Sequence, residues 1–166
     1  MLNAAQLHLG LNHLPVFGAI IGFFVLATGL VLMRQGVKTI GLGILIFGAL
    51  SVAPVYLTGE PAEKIVEHRP GVSEAVIHNH EEAAELSLIF CALTGLASAA
   101  TLLLPRIKGV NFHTQAAFGS SALALITVVL LVRTAHLGGM IRHDEIRTAQ
   151  ATAIGAAAET EDDDKD

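Results

Sequence analysis

The chain has 166 residues, of which 52% are hydrophobic and 15% are charged. Soluble globular domains carry about 25% charged residues, so this composition excludes an ordinary soluble domain and predicts a one-domain membrane protein. The formal net charge of -5 indicates no class of charged partner, because much of it comes from aspartates in the last five residues. No basic patch with interleaved aromatic residues occurs, which argues against nucleic-acid binding.

Several classes of chemistry lack the residues that they need. The single cysteine, Cys91, excludes an internal disulfide and a cysteine-based zinc site. Its place deep in an apolar segment favours the interpretation of a small buried hydrophobic residue. The sequence also has no nucleophile–base pair, phosphate-binding loop or dinucleotide fingerprint, so it gives no support to a hydrolase, a kinase or a Rossmann enzyme.

The first two hydrophobic segments are each long enough to cross a bilayer, which takes about 20 residues. The first covers about residues 14–34 and follows a stretch with no basic residue. A secretory signal has a positive region before its apolar core, so we predict a retained helix. The second covers about 39–58, and Pro54 within it predicts a kink.

Two further segments complete the predicted fold. The third covers about 80–104, with three glutamates in its first turns and Pro105 after its end. The fourth covers about 114–136, and Gly138-Gly139 predicts its stop. The sequence therefore predicts an all-α protein, a four-transmembrane-helix bundle with antiparallel, up-down topology, within residues 1–148. Residues 149–166 are predicted to form a partly disordered acidic tail.

Loop composition predicts the orientation. The loops at 34–38 and 105–113 are short and basic, whereas the predicted loop at 59–79 is longer and acidic. The positive-inside tendency places the two basic loops in the cytoplasm. We therefore expect a multi-pass protein of the bacterial inner (cytoplasmic) membrane, with both termini on the periplasmic side.

Small residues recur at helical spacing within the apolar segments, and they predict close contacts between helix backbones in lipid. They are Gly18 and Gly22, then Gly41, Gly43 and Gly48, then Gly95 and Ala99.

The histidines are unevenly distributed over the predicted bundle. Antiparallel helices bring the start of the first, the end of the second, the start of the third and the end of the fourth to one membrane face. Of the eight histidines, only His113 falls on the opposite face. A neutral imidazole is a good ligand for haem iron, copper and zinc, so this clustering predicts a metal or haem site at that face.

Bis-histidine haem needs imidazoles on opposite faces of the porphyrin, usually from different helices. His13, His80 and His136 meet this requirement, because they lie on different helices at similar depth. They are the predicted cofactor and metal ligands. His8 and His13 are separated by about 140° on a helical wheel and His78 and His80 by about 200°, so each pair predicts one inward histidine.

The remaining polar residues at this face are predicted to support the ligands through hydrogen bonds to imidazole N–H groups. These are His8, His78, Glu81, Glu85 and Glu60. Carboxylates and histidines at helical spacing also occur in di-metal bundles, which use Glu-x-x-His pairs. Here His78 precedes Glu81, which reverses that order, so a di-iron oxidase is disfavoured.

These landmarks resemble a widespread family of small bacterial four-helix membrane proteins known only as a domain of unknown function. The resemblance covers about residues 5–140 and rests on His8-Leu9-Gly10-Leu11-Asn12-His13-Leu14-Pro15, Thr58-Gly59-Glu60, His80-Glu81 and Ala135-His136-Leu137-Gly138-Gly139. Leu14 stands where the family usually has Phe, and the Glu-rich stretch 60–67 departs from its commoner form. The resemblance implies a helical bundle with histidines at one face and haem or metal binding.

The sequence thus favours a membrane electron-transfer protein that binds haem b through two of His13, His80 and His136. A site at one face would pass electrons between a periplasmic electron carrier, such as a cytochrome c or a cupredoxin, and a quinone or another membrane redox subunit. Two alternatives stay open. One is a non-haem copper or iron protein, and the other is a cofactor-free structural subunit of a respiratory or photosynthetic complex, surrounded by lipid and partner subunits.

Overall fold

The computed structural model describes residues 2–70, 72–108 and 113–143, and within them the side chains of 2–70, 72–103 and 114–143. Over these ranges the chain is helical and contains no strand. Its helices are α1 (Ala4–Leu11), α2 (His13–Val31), α3 (Gln35–Val66), α4 (Glu74–Lys108) and α5 (His113–Arg142). The all-α prediction with four long helices is confirmed, and the predicted acidic tail lies outside the described residues.

Four helical spans are long and apolar enough to cross a membrane, as a multi-pass membrane protein requires. They are Ala4–Val31, Gln35–Val66, Glu74–Leu103 and Thr114–Arg142. The first of them contains a break, because α1 and α2 are separated by a turn at Asn12. Asn3 and Gln6 form a reciprocal capping box that starts α1.

The helices extend further than the hydrophobic segments that predicted them. α3 continues past residue 58 to Val66, and α4 begins at Glu74 rather than His80. The predicted loop 59–79 therefore shrinks to 67–73, because Glu, Lys and Ala are good helix formers outside the apolar region. α5 likewise passes through Gly138-Gly139 and ends at Arg142.

α2 and α3 approach each other through glycines. A Cβ added at Gly18 would lie 2.7 Å from the Gly48 Cα, and one added at Gly41 would lie 2.5 Å from the Leu26 backbone nitrogen. The contacts run in opposite directions along the two helices, so the pair is antiparallel. In lipid the hydrophobic effect does not drive helices together, so close backbone contact of this kind stabilises helix pairs through van der Waals packing.

α4 and α5 are joined instead by a seam of buried hydroxyl groups, which we call the hydroxyl seam. Its members repeat every seven residues on each helix and pair across the antiparallel interface. The pairs are Ser87–Thr134 at 2.8 Å, Thr94–Thr127 at 2.7 Å and Thr101–Ser120 at 3.1 Å. Thr127 also donates to the Phe90 carbonyl, and Thr134 donates to that of Ala83. The seam therefore fixes the register of α4 on α5.

Apolar side chains fill the space between these two helix pairs. Cys91 is 3% exposed and packs with Ala19, Val52 and Leu131 from three other helices. The cysteine is therefore a small buried hydrophobic residue, as its position in the sequence predicts.

We predict that Gly41→Ala destabilises the protein by about 1–3 kcal/mol, the usual cost of overpacking a tight contact. The new methyl group would collide with the Leu26 backbone. Gly43→Ala is the matched control on the same helix, because its Cβ would meet no atom within 4 Å. We expect this control to be neutral or more stable by up to about 1 kcal/mol. Thermal unfolding in detergent measures both, and equal effects would contradict the described α2–α3 contact.

A second prediction concerns the hydroxyl seam. A double-mutant cycle of Thr94→Val and Thr127→Val should give a coupling energy of about 0.6 kcal/mol, and at most about 1.7, as for other hydrogen bonds between membrane helices. Replacing Thr94 together with the exposed Thr28 of α2 is the control and should give no coupling. A coupling energy of zero between Thr94 and Thr127 would mean that their 2.7 Å hydrogen bond does not hold α4 to α5.

Candidate functional site: paired imidazoles at one end of the bundle

Polar side chains from four helices meet at one end of the bundle, which we call the histidine end. It is formed by α1, the C-terminal part of α3, the N-terminal part of α4 and the C-terminal part of α5. Its central residues are His8, Thr58, His80, Thr134 and Gly138. The clustering of histidines at one face in the sequence therefore has a structural counterpart.

His8 lies on α1 and is half-buried against α3. Its Nδ1 is 3.1 Å from the Val55 carbonyl oxygen and 3.1 Å from Thr58 Oγ1. The Thr58 hydroxyl itself donates to the carbonyls of Pro54 and Val55. A carbonyl oxygen can only accept a hydrogen bond, so His8 Nδ1 carries the proton in this arrangement. Gly59 lies beside the ring, and a Cβ there would be 3.9 Å from His8 Cε1.

His80 lies on α4 and is half-buried against α5. Its Nδ1 is 3.1 Å from the Thr134 carbonyl oxygen and therefore also carries the proton. The ring rests on Gly138, where a Cβ would lie 3.0 Å from His80 Cε1. Any larger residue at position 138 would push the imidazole away, so this glycine is needed for the ring position.

The two imidazoles belong to different helices and are close enough to interact electrostatically. Both are anchored through Nδ1, which leaves Nε2 of each ring as the nitrogen with a lone pair in the neutral form. Among the described residues, Nε2 of His8 and of His80 has no hydrogen-bond partner. An Nδ1–H bonded to a carbonyl and a free Nε2 is the usual state of a metal-binding histidine.

The other two predicted ligands, His13 and His136, are exposed rather than half-buried. His13 is exposed, its Nδ1 lies 2.8 Å from the Leu9 carbonyl oxygen, and its ring stacks on Phe17 with centroids 6.1 Å apart. His136 is exposed on α5. The inward member of the His8–His13 pair is therefore His8, which the sequence placed in a supporting role, and only His80 of the three predicted ligands is half-buried here.

The other predicted supporting residues lie around the rim. His78 pairs with Glu82 at 3.3 Å on the surface of α4, and Glu60 pairs with Lys64 at 2.7 Å on α3. Glu85 is also exposed. Glu81 is exposed, but it interacts electrostatically with His80. These carboxylates thus give the histidine end a negative rim, and none of them touches His8 through a described hydrogen bond.

Sequence reasoning did not assign roles to three residues that shape the pair. Thr58 and Gly138 appeared only as landmarks of the family resemblance. Thr134 carries a weak signal, because it continues the seven-residue spacing of Ser120 and Thr127 along α5. Its hydroxyl belongs to the hydroxyl seam, while its carbonyl accepts from His80.

The described residues contain no group of three or more His, Cys, Asp or Glu side chains that could hold a metal ion. The histidine end therefore offers two imidazoles rather than a complete set of ligands for a small ion. A cavity of about 10 Å³, lined by Cys91, Thr94 and Thr127 among others, lies at the bundle centre and not beside the pair. That volume is about enough for one water molecule.

No protein-family model, no curated protein and no solved structure matches this chain. The family resemblance of the sequence therefore stays a prediction.

We predict that His8 and His80 are Nδ1–H tautomers when neutral, because each donates through Nδ1 to a backbone carbonyl. Nitrogen NMR of histidine-labelled protein distinguishes the two tautomers, and His8→Gln and His80→Gln variants assign the signals. The exposed His136 is the internal reference, and we expect a tautomer mixture there. Signals of an Nε2–H tautomer at His8 or His80 would contradict the described hydrogen bonds.

Proposed function

We propose that this protein is a membrane electron-transfer protein that binds a b-type haem through His8 and His80. One observation carries the proposal: two half-buried imidazoles from different helices lie at the same end of the bundle within electrostatic range of each other, each with Nδ1 on a carbonyl and, among the described residues, no partner at Nε2. Metal-binding histidines commonly have this arrangement, in which the outer hydrogen bond fixes the tautomer and the ring direction.

The chemistry of this donor set fits a haem better than a small metal ion. A porphyrin supplies four nitrogen ligands of its own, so the protein needs to add only two axial ligands. Structural zinc sites, by contrast, take four ligands from the protein and catalytic ones usually take three. The described residues provide a pair of imidazoles and no larger metal-binding group, which favours haem over the copper or iron alternative.

The residues around the pair hold the two rings rather than react. The carbonyls of Val55 and Thr134 fix the ring directions, and the Thr58 hydroxyl adds a second contact to His8. Gly138 allows His80 to lie directly on α5. A haem, when bound, supplies the one-electron oxidation and reduction. The negative rim, to which Glu81 contributes, would favour the oxidised, more positive state through simple electrostatics.

A site at one end of the bundle serves one membrane face. We propose that this face is the periplasmic side of a bacterial inner membrane, because the basic loops mark the other side as cytoplasmic. The electron donor would then be a periplasmic carrier, and the acceptor a quinone or a neighbouring membrane subunit.

The test is an optical spectrum of the purified protein after haem supplementation. We expect a Soret band and, on reduction, the alpha band of a bis-histidine haem in the wild type. His8→Ala and His80→Ala should each abolish or strongly reduce these bands, because each would remove one of the two imidazoles that hold the haem. His13→Ala and His136→Ala are matched controls on the same end of the molecule and should leave the spectrum unchanged.

The spectra of the wild type and the four variants decide which histidines hold the haem. Loss of the spectrum in His13→Ala or His136→Ala, with His8→Ala unaffected, would support the ligands chosen from the sequence and overturn the pair. The absence of any haem band in the wild type would overturn the haem function itself. Elemental analysis of the same preparation then tests for copper or iron.

A cofactor-free structural subunit is the second candidate, and one observation favours it. The hydrogen bonds of His8 and His80 join α1 to α3 and α4 to α5, so the imidazoles already stabilise the bundle as it stands. In that case His8→Ala and His80→Ala would lower the unfolding temperature without changing any cofactor content.

A further inference from the structure

The short helix α1 differs from the other helices in how it is attached to the bundle. It has eight residues and none of them is buried, whereas α2 has buried residues from Pro15 to Leu30. A helix of this length is only marginally stable by itself, so its position depends on the helix against which it packs. That helix is mainly α3.

The surface that α1 presents to the bundle is small. Its partly buried residues form one helical stripe, which consists of Ala4, Ala5, His8 and Leu11. The two alanines bury little apolar area and therefore contribute little hydrophobic stabilisation. Among the described residues, the side-chain hydrogen bonds that join α1 to α3 are both made by His8, to the Val55 carbonyl and to Thr58. The attachment of α1 thus depends largely on one imidazole.

The break between α1 and α2 is caused by Pro15. A proline has no N–H, so the carbonyl of Leu11, four residues earlier, lacks its helical donor, and the proline ring crowds that carbonyl. α1 accordingly ends at Leu11, and the turn at Asn12 follows. No side chain caps the start of α2, and the space beside Gly10 is open. A change of direction at Asn12 therefore leaves the packing of α2 on α3 intact.

We propose that α1 is a lid on the histidine end, hinged at Asn12, which opens by releasing His8 from α3 and so admits the haem. The identity of the admitted group rests on the proposed function. Axial imidazoles must lie on opposite faces of a porphyrin, so the two rings have to separate before a haem can enter between them. His80 is fixed, because the hydroxyl seam holds α4 to α5. His8 is on the weakly attached helix and is the one that moves.

The open lid would lie at the membrane surface. Leu2, Leu7 and Leu9 are already exposed while α1 packs on α3. A helix with leucines on one side and polar residues on the other lies in the interface between headgroups and acyl chains. These leucines therefore have apolar surroundings in both positions of α1, and opening costs mainly the contacts of His8.

The first test is hydrogen exchange of the full chain in a neutral detergent without haem, measured by mass spectrometry of its peptides. We expect the amides of α1 to exchange at least about tenfold faster than those of α2, because segments with few buried contacts open more often than the core. Thr58→Val removes one contact of His8 and should speed exchange in α1 about fivefold, the size expected for one hydrogen bond. Thr28→Val, at an exposed threonine of α2, is the matched control and should change nothing in α1.

Pro15→Ala should have the opposite effect. It gives the Leu11 carbonyl a helical donor and makes α1 continuous with α2, so exchange in α1 should become slower. A helix fixed on the bundle as a purely structural element would exchange like α2 and would not respond to the two substitutions in opposite directions.

The second test asks whether α1 covers the paired imidazoles. Diethyl pyrocarbonate modifies the unprotonated nitrogen of a neutral imidazole, which is Nε2 in both His8 and His80. Thr58→Val should raise the modification rate of His80 about fivefold relative to the exposed His136 of the same molecule, in proportion to the more frequent opening. The Thr28→Val control should modify at the wild-type rate.

Equal exchange rates in α1 and α2, or an unchanged modification rate of His80 in Thr58→Val, would overturn the lid. Faster haem uptake by Thr58→Val and slower uptake by Pro15→Ala would support its role in admitting haem, and equal uptake rates would overturn that role. Hydrogen exchange and histidine modification require no haem. A protein whose α1 opens but which never binds haem would therefore contradict the electron-transfer function and not the lid.

Discussion

The hydroxyl seam between α4 and α5 is the interaction on which the candidate site depends. In an apolar bundle, a buried hydroxyl without a partner is costly, so each hydroxyl pair of the seam favours one register of α4 against α5. Thr134 belongs to the pair nearest the histidine end. Its hydroxyl is hydrogen-bonded to Ser87, while its carbonyl accepts a hydrogen bond from His80. A shift of either helix by one residue would break these hydroxyl pairs and also move His80 off Gly138. The hydroxyl seam therefore positions the imidazole of His80, which lies seven residues before the seam member Ser87 on α4.

The glycine contacts between α2 and α3 have the corresponding role for the other half of the molecule. Close approach at Gly18 and Gly41 leaves no room for the helices to slide, because backbone atoms meet backbone atoms. Fixed in this way, α3 presents the Val55 carbonyl and Thr58 to α1 at one end, where His8 binds them. At the other end the same contact allows Lys38 to lie on Gly29. Two different kinds of packing, hydroxyl pairs and glycines, thus position both ends of the bundle.

The sequence predicts the fold well because the physical signal is long and redundant. Four apolar stretches of bilayer length leave few alternatives to a helical bundle. Helix ends are less predictable, since hydropathy marks the part of a helix that lies in lipid and not its hydrogen-bonded limits. α3 and α4 consequently continue through the polar residues that the sequence assigned to a loop.

The choice among the histidines could not be made from spacing alone. The wheel angle between His8 and His13 correctly implies that only one of them faces inward, but it does not say which. A turn at Asn12 separates α1 from α2, so the orientation of His8 is set by its contacts with Val55 and Thr58. Those contacts join residues about 50 positions apart in the chain. Long-range pairs of this kind leave no periodic signal in the sequence. His80, in contrast, lies seven residues before the seam member Ser87 and is the one predicted ligand that is half-buried.

Charge is distributed unevenly between the two ends of the bundle. Carboxylates surround the histidine end, whereas the described residues at the turn between α2 and α3 include Arg34 and Lys38 and no carboxylate. Positive charge that develops on a group held by His8 and His80 would therefore be stabilised within the protein, by residues such as Glu81. This asymmetry supports the proposal that the cofactor of an electron carrier lies at the histidine end and not at the opposite end of the bundle.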